Sequence, residues 1–218
     1  MIEAKNITLS YGNLQVLKGI DISIKKGELI SIVGASGAGK TTLLNILGTL
    51  EKPGSGSLVI NNKNVHNLSD KELSLLRNKE IGFIFQFHNL IPELTALENV
   101  YLPSLIGKKD KKESIKKATE LLSLLKLENR LHHRPNELSG GEQQRVAVAR
   151  SLINAPSIIL ADEPTGNLDS KNASELHNLL IKLNKDLDQS FVIVTHNEEL
   201  ANMAERRLEM KDGKIFAR

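Results

Sequence analysis

The sequence predicts an α/β fold with a mixed core sheet, an antiparallel β part and a helical subdomain. Apolar runs without a polar partner face, at residues 29–33 and 158–161, are typical of parallel strands that are covered on both sides. Alternating apolar and polar residues at 20–24 indicate a half-buried antiparallel strand. Apolar residues at helical spacing recur within 95–127. The length of 218 residues allows one buried core with a small subdomain.

The first part of the chain alternates strands with two helices. Two alternating segments come first, and a Lys-Lys-Gly turn ends the second of them at Gly27. A capping pattern formed by Ser69 and Glu72 begins the second helix. The predicted elements are strands at 7–10, 20–24, 29–33, 57–60 and 81–85, and helices at 40–50 and 69–77.

The middle of the chain is predicted to be helical, and its end returns to alternating strands and helices. We predict a helical subdomain at 88–155 and an α/β core formed by 1–87 and 156–218; the alternative is that these helices simply belong to one undivided domain. The remaining predicted elements are helices within 95–127 and at 139–154 and 170–187, and strands at 158–161, 191–194, 208–210 and 214–216.

Composition limits the function classes. Hydrophobic residues make up 40% and charged residues 25% of the chain, as in ordinary globular proteins. The net charge of +3 is mild, and 3% aromatic residues are too few for a surface that stacks on nucleic-acid bases. We therefore expect no nucleic-acid partner. The absence of Cys excludes disulfides and Cys metal sites. No apolar run approaches the roughly 18 residues of a membrane span, so action at a membrane is expected to need a partner.

Residues 34–41, GASGAGKT, match the pattern G-x-x-x-x-G-K-[ST] in full. Such a loop turns backbone N–H groups toward a triphosphate at a helix N-terminus, and its glycines permit the backbone angles. Lys40 would reach the β- and γ-phosphates, and Thr41 would offer its hydroxyl to Mg²⁺. A chance glycine turn is the alternative, but the loop lies between a buried strand and a helix. The predicted nucleotide-binding residues here are Gly34, Ala35, Ser36, Gly37, Ala38, Gly39, Lys40, Thr41 and Thr42.

Two carboxylates follow the apolar strand at 158–161. Asp162 and Glu163 would lie at the carboxyl end of a parallel strand, where open α/β sheets place their ligands. One carboxylate is expected near Mg²⁺, and its neighbour could polarise the attacking water. Taken alone, two acids after a strand are typical of a solvated loop. The phosphate loop favours the catalytic interpretation.

A second glycine signal, LSGGEQ at residues 138–143, begins a predicted helix. A capping box explains Ser139 and Glu142, but it does not explain Gly140 and Gly141. Two glycines at a helix start cost stability unless something must approach the backbone closely, and an anion is the obvious candidate.

LSGGE resembles the signature sequence of ATP-binding-cassette (ABC) ATPases, and the other motifs of that family follow in order. Tyr11 stands where the family stacks an aromatic ring on adenine, and Gln86 stands at the Q-loop, which contacts Mg²⁺ and the water. Asn167-Leu168-Asp169 resembles the D-loop, and His196 resembles the switch histidine. Singly, these residues are typical of a turn aromatic, a surface Gln and a structural His. Their order carries the inference, and it implies a single ABC ATPase domain over 1–218.

The resemblance implies a shared mechanism in which two copies of the chain enclose two ATP molecules. Ser139 and Gly141 of one copy would then contact the γ-phosphate that is bound by the other. The implied catalytic residues are Glu163 as the base, His196, Gln86 and Lys40. The implied metal ligands are Thr41, Gln86 and Asp162. The signature and D-loop residues expected at the nucleotide are Ser139, Gly140, Gly141 and Asp169.

Three segments are most similar to the ATP-binding subunits of lipoprotein-releasing transporters: FQFHNLIPELTALENVYLP, ADEPTGNLDS and LEMKDGK. The resemblance implies a homodimer with ATP that lies on the cytoplasmic face of the inner membrane and drives integral membrane subunits through residues 87–101. Within that stretch, Leu90, Ile91 and Leu94 flank a proline and could form a surface groove or belong to the core. Macrolide-exporter and cell-division-type ATPases share some of these motifs. A soluble ABC ATPase of DNA repair or translation and a nucleotide clamp with little turnover are further alternatives.

Overall fold

The structure, a computed structural model, describes residues 1–217 and contains ten strands and seven α-helices in that range. The strands are β1 (Ile2–Tyr11), β2 (Leu14–Ile24), β3 (Leu29–Val33), β4 (Ser55–Ile60), β5 (Lys63–Asn64), β6 (Ile81–Phe85), β7 (Ile158–Asp162), β8 (Ser190–Val194), β9 (Arg206–Lys211) and β10 (Lys214–Ala217). The helices are α1 (Lys40–Leu47), α2 (Asp70–Glu80), α3 (Ala96–Ile106), α4 (Lys111–Leu124), α5 (Gly140–Leu152), α6 (Ser170–Leu187) and α7 (Glu198–Asn202).

The strands form two sheets, which confirms the predicted mixture of parallel and antiparallel pairing. One sheet has the order β2-β1-β4-β5 and is antiparallel. The other has the order β10-β9-β3-β8-β7-β6, in which only the β9–β10 hairpin is antiparallel. In β2, Ile20, Ile22 and Ile24 are buried while Asp21 and Ser23 are exposed, as the alternation predicts. In β3 and β8 every residue is buried, as expected for strands with both faces covered.

Two apolar clusters lie on opposite faces of the larger sheet. Residues such as Ile32, Leu160 and Val192 belong to the first cluster, which also contains α1 and the antiparallel sheet. Ile159 and Ile193, which alternate with them, belong to the second cluster beside α3 to α6. Parallel strands whose neighbouring residues supply two cores cannot tolerate a register shift, so the carboxyl edge of the sheet is fixed in place.

Two helices form the part of the chain where the sequence predicts helices within 95–127. The pattern over 95–127 is divided into α3 and α4, because Gly107 ends α3 and Lys108 adopts a left-handed φ of 60°. Asp110 then caps α4 by accepting a hydrogen bond from the Glu113 N–H at 3.0 Å. Among residues 1–217, no helix has both the length and the apolar character needed to cross a membrane.

Candidate nucleotide site

The carboxyl ends of β3, β7 and β8 border a cavity of about 550 Å³. Its wall combines predicted residues from the phosphate loop, the acidic strand end and the segment after β8, because parallel strands end at one edge of the sheet. The lining residues are Leu14, Val16, Gly34, Ser36, Gly37, Gly39, Lys40, Thr41, Thr42, Gln86, Asp162, Glu163, Val194 and His196.

The phosphate loop takes its shape from glycine conformations and from Lys40. Gly37 and Gly39 have φ values of 77° and 101°, and a Cβ on Gly34 would lie 2.1 Å from the Met210 carbonyl oxygen. The Lys40 ammonium donates to the carbonyl oxygens of Gly34 at 2.7 Å and Ala35 at 2.9 Å. Lys40 is therefore held inside the loop with its charge directed at the site where phosphates would bind.

The residues beside the loop fit a magnesium ion. The Thr41 hydroxyl donates to an Asp162 carboxylate oxygen at 3.2 Å, so two hard oxygen ligands converge there. Burial raises the pKa of Asp162 and Glu163 raises it further, while the hydrogen bond from Thr41 and the charge of Lys40 oppose the rise. A cation would relieve the cost of keeping this carboxylate ionised.

Glu163 and His196 form a close pair at the mouth of the cavity. The His196 Nδ1 lies 2.9 Å from a Glu163 carboxylate oxygen, and the His196 backbone N–H donates to the same oxygen at 3.2 Å. The Glu163 backbone has a left-handed φ of 45°. It is fixed by its N–H donating to the Val194 carbonyl at 2.9 Å. A carboxylate and an imidazole at this position can accept and hold protons of a water molecule.

Gln86 is tied to the loop at 163–169 by a reciprocal pair of hydrogen bonds. Its side-chain N–H donates to Asn167 Oδ1 at 3.1 Å, and the Asn167 side chain donates to the Gln86 backbone carbonyl at 3.0 Å. A Cβ on Gly166 would lie 2.8 Å from the Gln86 side chain, so glycine permits this close approach. Asn167 was part of the D-loop resemblance but was not predicted to contact Gln86.

Ser139, Gly140 and Gly141 do not line the cavity. Ser139 caps α5: its hydroxyl accepts from the Glu142 N–H at 3.3 Å, and Glu142 Oε2 accepts from the Ser139 N–H at 2.8 Å. The other Glu142 oxygen accepts from Arg130 Nε at 2.8 Å. Burial acts to raise the pKa of Glu142, but these hydrogen bonds outweigh burial and lower the pKa.

Tyr11 and Asp169 also lie outside the cavity lining. The Tyr11 hydroxyl donates to the Glu51 carboxylate, which raises the pKa of Tyr11, and the side chain is 52% exposed. Asp169 caps α6 by accepting from the Asn172 N–H at 2.9 Å, and this bond lowers the pKa of Asp169. Both remain predicted nucleotide contacts. Of the other predicted residues, Ala35 and Ala38 lie in the loop without lining the cavity.

The sequence interpretation missed three apolar lining residues: Leu14, Val16 and Val194. Leu14 is the first residue of β2 and is exposed, and Val16 lies on the same strand face. The alternation of β2 could have indicated this face, but its contact with the phosphate loop depends on how the antiparallel sheet packs.

A phosphate loop, a carboxylate beside the metal position and a Glu–His pair at the sheet edge define a P-loop nucleotide hydrolase. A family model described as ABC transporter matches residues 17–166. The LolD lipoprotein-releasing ATP-binding protein of Cytophaga hutchinsonii is 57% identical over 99% of both chains. The LolD of Aquifex aeolicus is 53% identical over 99% of this chain and 96% of its own.

Two solved structures of the cassette MJ0796 are also similar. Its dimeric structure has a TM-score of 0.91 and 47% identity, and covers 99% of this chain and 96% of that chain. Its dimeric post-hydrolysis state, bound to ADP and Pi, has a TM-score of 0.89 and 46% identity at the same coverage. This chain belongs to the ABC transporter family and is an ATPase of that family.

Proposed function

We propose that the chain is the ATP-hydrolysing motor subunit of a lipoprotein-releasing ABC transporter. The Glu163–His196 pair beside the phosphate loop is the observation that carries the hydrolytic part of the proposal. The names of relatives at 53% and 57% identity over nearly the full chain support the lipoprotein part. As such a subunit, the chain lies on the cytoplasmic face of the inner membrane and drives separate membrane subunits.

In this proposal each residue of the cavity has its own role in ATP hydrolysis. Glu163 takes the proton of the attacking water, and His196 holds the water and the γ-phosphate in line. Lys40 neutralises charge on the β- and γ-phosphates. Thr41, Asp162 and Gln86 would hold a metal ion, which would neutralise charge on the same phosphates. Tyr11 is the proposed adenine contact.

The predicted residues that do not line the cavity support a shared site. Ser139, Gly140 and Gly141 begin a helix whose N–H groups and dipole favour an anion, yet they stand apart from the chain's own phosphate loop. A second copy related by a two-fold axis would bring its own signature to this loop, which gives two equivalent composite sites. Asp169 lies on the D-loop of the same interface in this proposal.

The segment at 87–101 is the proposed contact with the membrane subunits. Phe87 is 74% exposed and Ile91 39% exposed, whereas Leu90 packs on the second core cluster and Leu94 is half-buried. Leu90 is partly buried against that cluster, so the proposed contact surface is centred on Phe87 and Ile91. The buried Asn99 amide fixes the segment by hydrogen bonds that include 3.1 Å to the Ile91 carbonyl.

Release of lipoproteins from membrane vesicles tests the proposal. The chain is co-expressed with candidate membrane subunits, reconstituted, and supplied with ATP in the presence of a soluble lipoprotein acceptor. We expect ATP-dependent release that stops in the Glu163→Gln variant. ATP hydrolysis without release, together with export of a small drug, would favour the macrolide-exporter alternative.

The contact segment is tested by comparing Phe87→Glu with Phe216→Glu. Both are exposed phenylalanines, but Phe216 lies on β10 at the opposite end of the sheet from β6, which leads into the segment. We expect Phe87→Glu to lose co-purification with the membrane subunits and Phe216→Glu to keep it, with ATP binding intact in both. Equal co-purification of the two variants would contradict this assignment of the surface.

A further inference from the structure

A buried histidine that the proposed chemistry does not use lies behind the Glu163–His196 pair. His177 stands two turns into α6 and is 1% exposed. Its Nε2 lies 3.2 Å from the Thr165 hydroxyl. Its Nδ1 is buried without a hydrogen-bond partner, and a carboxylate oxygen of Glu199 is 3.9 Å away.

The two groups that face His177 belong to the two loops that carry the hydrolytic pair. Thr165 is two residues after Glu163, in a pair of tight turns closed by the Gly166 N–H to the Glu163 carbonyl at 3.0 Å and the Leu168 N–H to the Thr165 carbonyl at 3.1 Å. Glu199 is three residues after His196 and lies in the first turn of α7. The imidazole is thus placed between both loops on a rigid 18-residue helix.

The surroundings select one tautomer of the imidazole. A carboxylate facing Nδ1 favours a proton on that nitrogen, so Nε2 keeps its lone pair and accepts from the Thr165 hydroxyl. The Glu199 oxygen at 3.9 Å is too far for a hydrogen bond but close enough to attract the Nδ1 proton. The polarity of this arrangement, meaning the direction of hydrogen donation, is therefore fixed. The Thr165 hydroxyl donates to His177, and the Nδ1–H of His177 faces Glu199.

We propose that His177 is a positioning residue for ATP hydrolysis, which holds the Glu163 loop through Thr165 and orients it relative to the His196 loop. The neighbouring buried positions on α6, such as Leu176, Leu180 and Leu183, are apolar. An apolar side chain would fill the same volume without burying an unpaired nitrogen. The inference rests on the proposed assignment of Glu163 and His196 as the hydrolytic pair.

Two variants of nearly equal shape separate positioning from packing. His177→Met fills the site without a hydrogen bond, whereas His177→Gln places a carbonyl oxygen near the position of Nε2. We expect kcat of the ATPase to fall about tenfold in His177→Met with KM for ATP changed less than about twofold, because a loop misplaced by a fraction of an ångström slows chemistry more than binding. His177→Gln should recover most of the lost kcat.

Leu180→Met is the matched control, since it changes a buried residue one turn further along α6 and should leave kcat unchanged. Equal kcat in His177→Met, His177→Gln and the wild type would overturn the inference, and so would equal losses in both variants. If His177→Met does not fold, Thr165→Val and Thr165→Ser replace the pair, and only Thr165→Val should lose kcat.

The tautomer provides a readout that packing would not change. In protein labelled with ¹⁵N-histidine, NMR correlations should place the His177 proton on Nδ1, and a proton on Nε2 would overturn the proposed polarity. Glu163→Gln distinguishes a wrong assignment of the hydrolytic pair from a wrong positioning role for His177. Normal hydrolysis in that variant would overturn the assignment of the hydrolytic pair, whereas its loss together with an unaffected His177→Met would overturn the positioning role alone.

Discussion

At the scale of single residues, the backbone of Glu163 is the strained point of the site. A left-handed φ of 45° is uncommon for a residue with a Cβ and costs about 1–3 kcal/mol. Hydrogen bonds on either side fix it, from its own N–H to the Val194 carbonyl and from the Gly166 N–H to its carbonyl. The turn directs the carboxylate to His196 instead of along the strand, so the strain is connected to the position of the proposed base.

The first prediction concerns Glu163→Gln. The amide keeps the shape of the side chain but cannot take a proton, so we expect ATP hydrolysis to fall by about 10²–10⁴-fold. ATP binding, measured with a fluorescent analogue, should remain. Glu205→Gln, an exposed acid outside the cavity, is the control and should hydrolyse ATP normally. Phosphate release above about a tenth of the wild-type rate would show that another group accepts the proton.

The second prediction is a pH dependence of stability caused by His177. Burial lowers the pKa of this imidazole, and the opposing charge of Glu199 does not restore it. Below about pH 6.5 the unfolded chain takes up a proton at this position and the folded chain does not, so the free energy of unfolding falls as the solution is acidified. Urea denaturation at about pH 7.5 and 5.5 should show a larger loss in the wild type than in His177→Met. Identical losses would contradict it.

At the scale of elements, the same capping device begins three helices. Ser69 on α2, Thr95 on α3 and Ser139 on α5 each exchange hydrogen bonds with a glutamate three residues later. On α5 the cap precedes Gly140 and Gly141, each of which lowers helix stability by about 1 kcal/mol relative to alanine. The cap therefore offsets part of the cost of a glycine backbone that the proposed anion contact requires.

The third prediction compares Ser139→Ala with Ser69→Ala. Both changes remove a helix cap, so each should lower the free energy of unfolding by about 1 kcal/mol. Only Ser139→Ala should also slow ATP hydrolysis, because only this serine is proposed to contact the γ-phosphate of the other copy. Equal ATPase rates in the two variants, measured at the same protein concentration, would mean that Ser139 serves the helix alone.

Local sequence signals predicted these elements well, and their failures have physical causes. Caps at Ser69, Thr95 and Ser139 and the apolar runs of the parallel strands depend on neighbouring residues, which the sequence displays. Helix α7 was not predicted because its 5 residues are too few for an apolar periodicity to show, although Asn197 caps it by accepting from the Leu200 N–H at 3.0 Å.

At the scale of the whole molecule, the site depends on contacts between distant segments. Gln86 meets Asn167 across 81 positions, and the phosphate-loop Thr41 meets Asp162 across 121. The phosphate loop, Gln86, the acidic pair and His196 were predictable because each stands at or just after the end of a parallel strand, and parallel strands share an edge. The contacts of Tyr11 with Glu51 and of His177 with Thr165 follow from tertiary packing, and no periodicity in the sequence indicates them.

The fourth prediction concerns assembly. If two copies enclose the nucleotide, Glu163→Gln should run as a dimer in size-exclusion chromatography with ATP and as a monomer without it. Ser139→Arg adds a bulky charge at the proposed interface, so it should bind ATP and remain monomeric. Glu163→Gln with Ser69→Ala is the matched control and should still form a dimer. A Glu163→Gln protein that stays monomeric at saturating ATP would contradict the shared site.

The cap of α5 has a further member, because its glutamate is also paired with an arginine. In the caps of α2 and α3, the hydroxyls of Ser69 and Thr95 donate to the capping carboxylates at 2.6 and 2.9 Å. In the cap of α5, Glu142 accepts from the Ser139 N–H at 2.8 Å and, through its other oxygen, from Arg130 Nε at 2.8 Å. A hydroxyl can accept one bond while donating another. Because Arg130 and the Ser139 N–H both bind Glu142 without the hydroxyl hydrogen, Ser139 can turn that hydrogen to an incoming phosphate oxygen while its helix stays capped.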